Sequence, residues 1–153
     1  MNLVPIRPKE AEAMLEFMEN RFGIPKDAFA GLEFMDNGKG KIFAMNERNA
    51  VFCNRNNIMS ASLPFMRFDG ATKPTSMMIQ MFGSLATRGI VHVERSKAKD
   101  FAAGFDIISK ENACSDGYVI IKYNGFPLGC GLLRNGDIKN QLPKAKRMPV
   151  ELL

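Results

Sequence analysis

Apolar residues first recur at helical spacing between Pro8 and Phe22, where Ala11, Met14, Leu15, Met18 and Phe22 share one face. Glu10, Glu12, Glu16 and Glu19 are left for water. Proline suits a first helical turn, and Gly23 followed by Pro25 stops the run, so a helix is predicted over 8–22. In "GLEFMDNGKGKIFAM" the period changes. Leu32–Met35 and Ile42–Met45 flank an Asn37-Gly38 turn region and predict a hairpin. Ala50–Cys53 and Leu63–Phe68 read as further short strands, with "NRNNIMSAS" between them as polar loop or a single helical turn.

"KPTSMMIQMFGSLATRG" predicts a second helix, opened by Pro74 and ended by Gly89, with Met78, Met81, Phe82 and Leu85 on one face. A methionine stripe at this spacing reads as core packing rather than a cofactor site. From Gly89 onward the pattern changes to short strands: "GIVHVE", the small basic helix "RSKAKDFAA" broken by Gly104, and then "FDII". A loop, "KENACSDG", precedes a strand pair over 118–123 and 127–133, and "RMPVEL" reads as a closing strand. The expected class is α+β: an α/β lobe over 1–88, then a compact β-barrel over 89–153.

The 153-residue length fits one domain or two half-sized lobes. With 46% hydrophobic and 24% charged residues, the balance is that of a globular protein. No apolar run approaches the roughly 18 residues of a membrane span, so no membrane partner is expected. "MNLVPIRPKEAEAM" has neither the apolar core nor the cleavage site of a signal peptide. Cys53, Cys114 and Cys130 are odd in number and in no CxxC spacing, as suits reduced thiols of a cytoplasmic protein. With His92 as the single histidine, no metal site is expected.

Charge changes the picture more. The net charge is +5, but residues 1–36 hold four Lys/Arg against seven Asp/Glu, a net −3. Residues 37–116 hold eleven against seven, +4, and the last 37 hold six against two, also +4. Positive charge is therefore densest at the C-terminal end, as suits a polyanionic partner.

Catalytic signatures are missing. There is no GxxxxGK[ST], no GxGxxG after a strand and no GxSxG. Gly129-Cys130-Gly131 lies inside a strand, where glycine marks a bulge or tight bend. His92 alternates with Val91 and Val93 and reads as a surface or structural residue. No catalytic residue and no cofactor is expected.

The stretch "GFPLGCGLLRNGDIKNQLPKAKR" resembles the C-terminal PUA-like RNA-binding domain of the Sun-family (fmu-related) RNA cytosine-5 methyltransferases. The matching elements are Gly125, Pro127-Leu128-Gly129, Gly131, Lys139-Asn140 and Pro143-Lys144. "VERSKAKDFAAGFDI" is similar to the opening of such domains, with Gly104 as turn glycine. The layout, with "MRFDGATKPTSMMIQMFGSLA" ahead of the barrel, is also similar to large-subunit ribosome-biogenesis proteins that carry an α/β domain before a PUA domain. The sequence departs from the family at Cys130, where an aromatic is often found, and at Leu132, where a basic residue often follows. The family's catalytic cysteine follows a proline, whereas these three follow Phe52, Ala113 and Gly129.

The resemblance implies a non-catalytic RNA-binding accessory protein, acting on structured rRNA or tRNA in ribosome biogenesis or RNA modification. The alternatives are a module that docks an RNA methyltransferase or pre-ribosomal protein, and a small enzyme with its site between the lobes. The RNA-contact candidates are Lys97, Lys99, Lys122, Arg134, Lys139, Asn140, Lys144, Lys146 and Arg147, with Arg67 and Lys73 as a second tier. Gly104, Gly125, Pro127, Gly129, Gly131 and Pro143 are expected to shape the motif.

Overall fold

The computed structural model describes residues 3–50, 62–68, 70–110 and 113–148. Cys53, most of the strand expected at Ala50–Cys53, the stretch 54–61 and most of "RMPVEL" lie outside them. The first helix is α1, Pro8–Phe22. Its start is closed by the Glu10 carboxylate, which accepts from the Arg7 N–H at 3.2 Å. Its end is closed by Gly23 at φ 67°, whose N–H reaches the Glu19 carbonyl at 2.8 Å. Met14, Met18 and Phe22 are buried, as their spacing requires.

Five antiparallel strands form the first sheet in chain order: β1 (Val4–Pro5), β2 (Leu32–Asp36), β3 (Lys41–Asn46), β4 (Leu63–Phe68) and β5 (Thr72–Pro74). The hairpin around Asn37-Gly38 is present. A short helical turn, α2 (Glu47–Ala50), follows β3.

The second helix is shorter than its pattern predicts. α3 covers Ser76–Phe82 and passes into a 3-10 turn at Gly83–Leu85. Pro74 does not open it; it ends β5 and pairs with Met66. Thr75 caps α3, its hydroxyl accepting from the Met78 N–H at 3.1 Å. With the start displaced, Met78 and Ile79 are buried, while Met81 and Leu85 are 56% and 49% exposed.

The second sheet comprises β6 (Ile90–His92), β7 (Ile107–Ile108), β8 (Gly117–Tyr123), β9 (Phe126–Arg134) and β10 (Asp137–Asn140), ordered β6-β8-β9-β10-β7. α4 (Arg95–Ala102) lies between β6 and β7. Only β6–β8 is parallel, and the expected barrel is a curled half-barrel with β6 and β7 at its edges. β10 was not expected. It forms because Asn135 and Gly136, at φ 50° and 86°, make a two-residue turn like that at Asn124-Gly125, at 47° and 80°.

Gly129 and Gly131 are packing residues. A Cβ on Gly129 would lie 2.6 Å from Leu142 Cδ2, and one on Gly131 2.5 Å from Ile138 Cγ2. A register shift leaves Leu128 unpaired, since Ile121 faces Gly129 and Lys122 faces Pro127.

The core does not divide with the sheets. Ile120 of β8 and Cys130 of β9 share one cluster with Met14, Met18, Phe22, Phe65 and Met78. Arg21 of α1 clasps the second sheet, donating to the Tyr118 carbonyl at 2.6 Å and to Ser115 Oγ and carbonyl at 2.7 and 2.8 Å.

Burial pushes the Cys130 thiol up to about 12, from an ordinary value of 9.0. The folded protein keeps its proton where the unfolded chain loses it, so this residue's contribution to stability is complete below pH 9. It declines as pH rises from 9 towards 12, by about 1 kcal/mol at pH 10. Urea titrations from pH 8 to 10.5 should show this decline, with a shallower slope in Cys130→Ala. Equal slopes would place the ionisation elsewhere.

Candidate nucleic-acid interface

The strand period sorts the expected contact residues. On β10, Asp137 and Lys139 point outward, while Ile138 and Asn140 are buried. Asn140 is therefore a correction. Its amide nitrogen donates to the Phe101 and Phe105 carbonyls at 2.7 and 3.0 Å, and its side-chain oxygen accepts from the Leu142 N–H at 2.8 Å. It holds the end of α4 against the chain beyond β10, and no donor of its amide is left for RNA. Lys122 is a second correction. β8 has neighbours on both sides and lies over the core, so the lysine is only 6% exposed, and desolvation lowers its pKa.

Lys97 and Lys99 lie two positions apart on α4, roughly 200° around the helix, and do not share a face. Lys97 Nζ donates to the Ile108 carbonyl at 2.6 Å, pinning α4 to β7. It also lines a groove with His92, Glu94 and Lys110, where a carboxylate offsets the cations. Arg134 is exposed at the β9–β10 turn, but its cross-strand partner is Asp137. Lys139 and Lys144 are exposed.

The final basic run splits three ways. Lys144 and Lys146 sit on a 3-10 turn, Lys144–Lys146, that starts after Pro143. Lys146 turns back over α3, with Nζ 3.5 Å from Gln80 Oε1 and 3.7 Å from Met77 Sδ. Arg147 turns the other way and donates from Nε to the Leu142 carbonyl at 3.2 Å. Its side chain occupies the space over Gly104, at φ 100°, where a Cβ would fall 2.4 Å from Arg147 Cδ. Gly104 is thus required twice, by its backbone and by its neighbour.

Lys146 meets the second-tier residues. A cleft of about 340 Å³ between the first sheet and the end of the second is lined by Lys41, Arg67, Lys73 and Lys146 over Pro64, Pro74, Pro143 and Met77. Lys41 faces Arg67 across β3–β4, and Arg67 faces Lys73 across β4–β5. Lys73 Nζ donates to Gln141 Oε1 at 2.6 Å, joining β5 to the chain beyond β10. Sequence reasoning missed Lys41, and no local signal marks it. It enters the group only through the register of β3 on β4.

Residues 88–148 match the family model described as the methyltransferase RsmF PUA domain. This span is similar to the PUA-like domain of the Sun-family methyltransferases. Among its relatives is the ribosomal RNA small subunit methyltransferase F of Aeromonas salmonicida, 27% identical over 148 residues. The protein of the same name from Aeromonas hydrophila is 28% identical over 149. Each match takes in 92% of this chain, so it reaches well ahead of the PUA-like domain into the first sheet. The chain spans 28% and 29% of the two relatives, less than a third of their length. In the PUA-like domain the motif glycines have separate tasks: Gly125 makes the hairpin turn, while Gly129 and Gly131 admit Leu142 and Ile138. Among the described residues no helix is long and apolar enough to cross a membrane, and no three His, Cys, Asp or Glu cluster as a metal site would need.

Proposed function

We propose that this chain binds structured ribosomal RNA as a non-catalytic module of rRNA modification, with 1–88 and 89–153 as its two units. The observation that carries this reading is the PUA-like domain at 88–148, in a chain whose positive charge is concentrated outside its first 36 residues. The relatives' name, ribosomal RNA small subunit methyltransferase F, supplies the class of RNA. A binding rather than catalytic role is supported by the cysteines, none of which follows a proline. The exposed Lys139 and Lys144 and the half-buried Lys99 are then phosphate contacts of the PUA-like domain, and Arg134 is a weaker one beside Asp137.

Gel-shift titration against small-subunit rRNA fragments, with tRNA for comparison, tests this. Each single-strand phosphate contact contributes about −0.7 to the slope of log K against log salt. Four contacts therefore predict roughly 50-fold weaker binding at 200 mM than at 50 mM salt. Absence of binding at 50 mM, with co-purification of a methyltransferase, would favour the docking module instead.

A further inference from the structure

Two features of the cleft between the sheets are costly in the protein alone. The first is the row Lys41–Arg67–Lys73, three cations at directly paired positions on three adjacent strands. Like charges placed opposite one another across strands destabilise a sheet. None of the described lining residues is acidic, and Lys146 adds a fourth cation from the second lobe. The second is Ser76, which lines the same cleft. It is 4% exposed, and its Oγ is a buried side-chain atom with no hydrogen-bond partner. Buried polar groups are nearly always paired, so an orphan hydroxyl on a residue of a cationic cleft marks a place for an acceptor.

From these we infer that the cleft is a phosphate site, which takes one backbone phosphate of the bound RNA between the two lobes. The inference rests on the RNA reading above and adds where a phosphate is held. An anion there offsets the repulsion in the row and, once the Ser76 side chain rotates toward the cleft, gives its hydroxyl an acceptor. Arginine contributes the fork that matches phosphate oxygens, and the lysines act as point charges. The prolines and Met77 exclude water beside the site, which strengthens each of these interactions. At about 340 Å³ the cleft has the size of a small-ligand site, room for one nucleotide unit. Lys73 is held by Gln141 from the other lobe, so the site is complete only when both lobes are in place.

The test compares the parent protein with Ser76→Ala, with the double variant Arg67→Gln/Lys73→Gln, and with the outer-face variant Lys139→Gln/Lys144→Gln. Binding to an rRNA fragment is measured alongside melting temperature, and amide NMR shifts of Thr75 to Met77 are followed with RNA and with inorganic phosphate. The double variant should bind at least tenfold more weakly, and Ser76→Ala severalfold more weakly, with melting temperatures equal to or above the parent's. A merely structural serine would not separate binding from melting in this way. If the cleft variants bind like the parent while the outer-face variant is impaired, the inference fails and the RNA reading stands. If the parent binds no RNA, both fail. If the amides respond to inorganic phosphate and not to RNA, the site takes a free anion and the RNA assignment is overturned.

Discussion

Replacing Asn140 with alanine should destabilise the protein by about 3 kcal/mol or more, a larger loss than that of any exposed lysine. Alanine keeps the backbone bond from the Asn140 N–H to Asp106 Oδ1 at 2.8 Å. It removes all three side-chain bonds, leaving the Phe105 carbonyl and the Leu142 N–H without their partner and the Phe101 carbonyl with the Gly104 N–H alone. Each orphaned group costs on the order of 1–3 kcal/mol where water cannot replace the partner, and Leu142 is buried. Leu142 also fills the space over Gly129, so loosening it disturbs the middle of β9. Urea unfolding measures the loss. Any weakening of RNA binding should follow the folded fraction and vanish at temperatures where the variant is fully folded. A variant of parental stability that binds RNA poorly would restore Asn140 as a contact.

The misreading of Asn140 shows which part of the site was legible. A polar residue beside Lys139 in a basic segment reads as surface until the strand itself is recognised. Asn135-Gly136 between "LLR" and "DIK" was the available signal. Recognising that hairpin turns Lys139 outward and Asn140 inward by the period of two alone. α1 was legible because its whole apolar face, its proline and its stop glycine agree. The start of α3 was not, because Pro74 suits a first helical turn and the end of an edge strand equally well, and β5 is only three residues long. The cationic row could not be read at any level of local pattern. Residues 41, 67 and 73 are brought together by two strand registers, and Lys146 by a turn that reverses over α3. Charge density pointed to the C-terminal end, yet a cleft lined by four cations lies where that end meets the first sheet.

Charge reversal of the final basic run should therefore separate into three outcomes rather than one. From sequence, Lys144, Lys146 and Arg147 form a single exposed contact surface, whose loss would leave folding intact. In the structure only Lys144 is exposed without a hydrogen bond to hold it. Lys144→Glu should leave the melting temperature unchanged and weaken RNA binding by a few-fold, about the value of one solvated contact. Lys146→Glu places a carboxylate in the cleft with Arg67 and Lys73, where it can pair with them and occupy the place of a phosphate. It should weaken binding at least tenfold while leaving the fold stable, because it relieves the repulsion among those cations. Arg147→Glu loses the bond to the Leu142 carbonyl and the packing over Gly104, so its main effect should be on stability, about 1–2 kcal/mol. Combined, the three changes should reduce affinity by about 2 kcal/mol or more, and the salt slope should flatten by about 1.4, two phosphate contacts at roughly 0.7 each. Arg147 adds nothing to that slope if its role is packing. A flattening of about two units, with equal contributions from the three residues and no change in melting temperature, would show a uniform exposed surface and contradict the division seen in the structure.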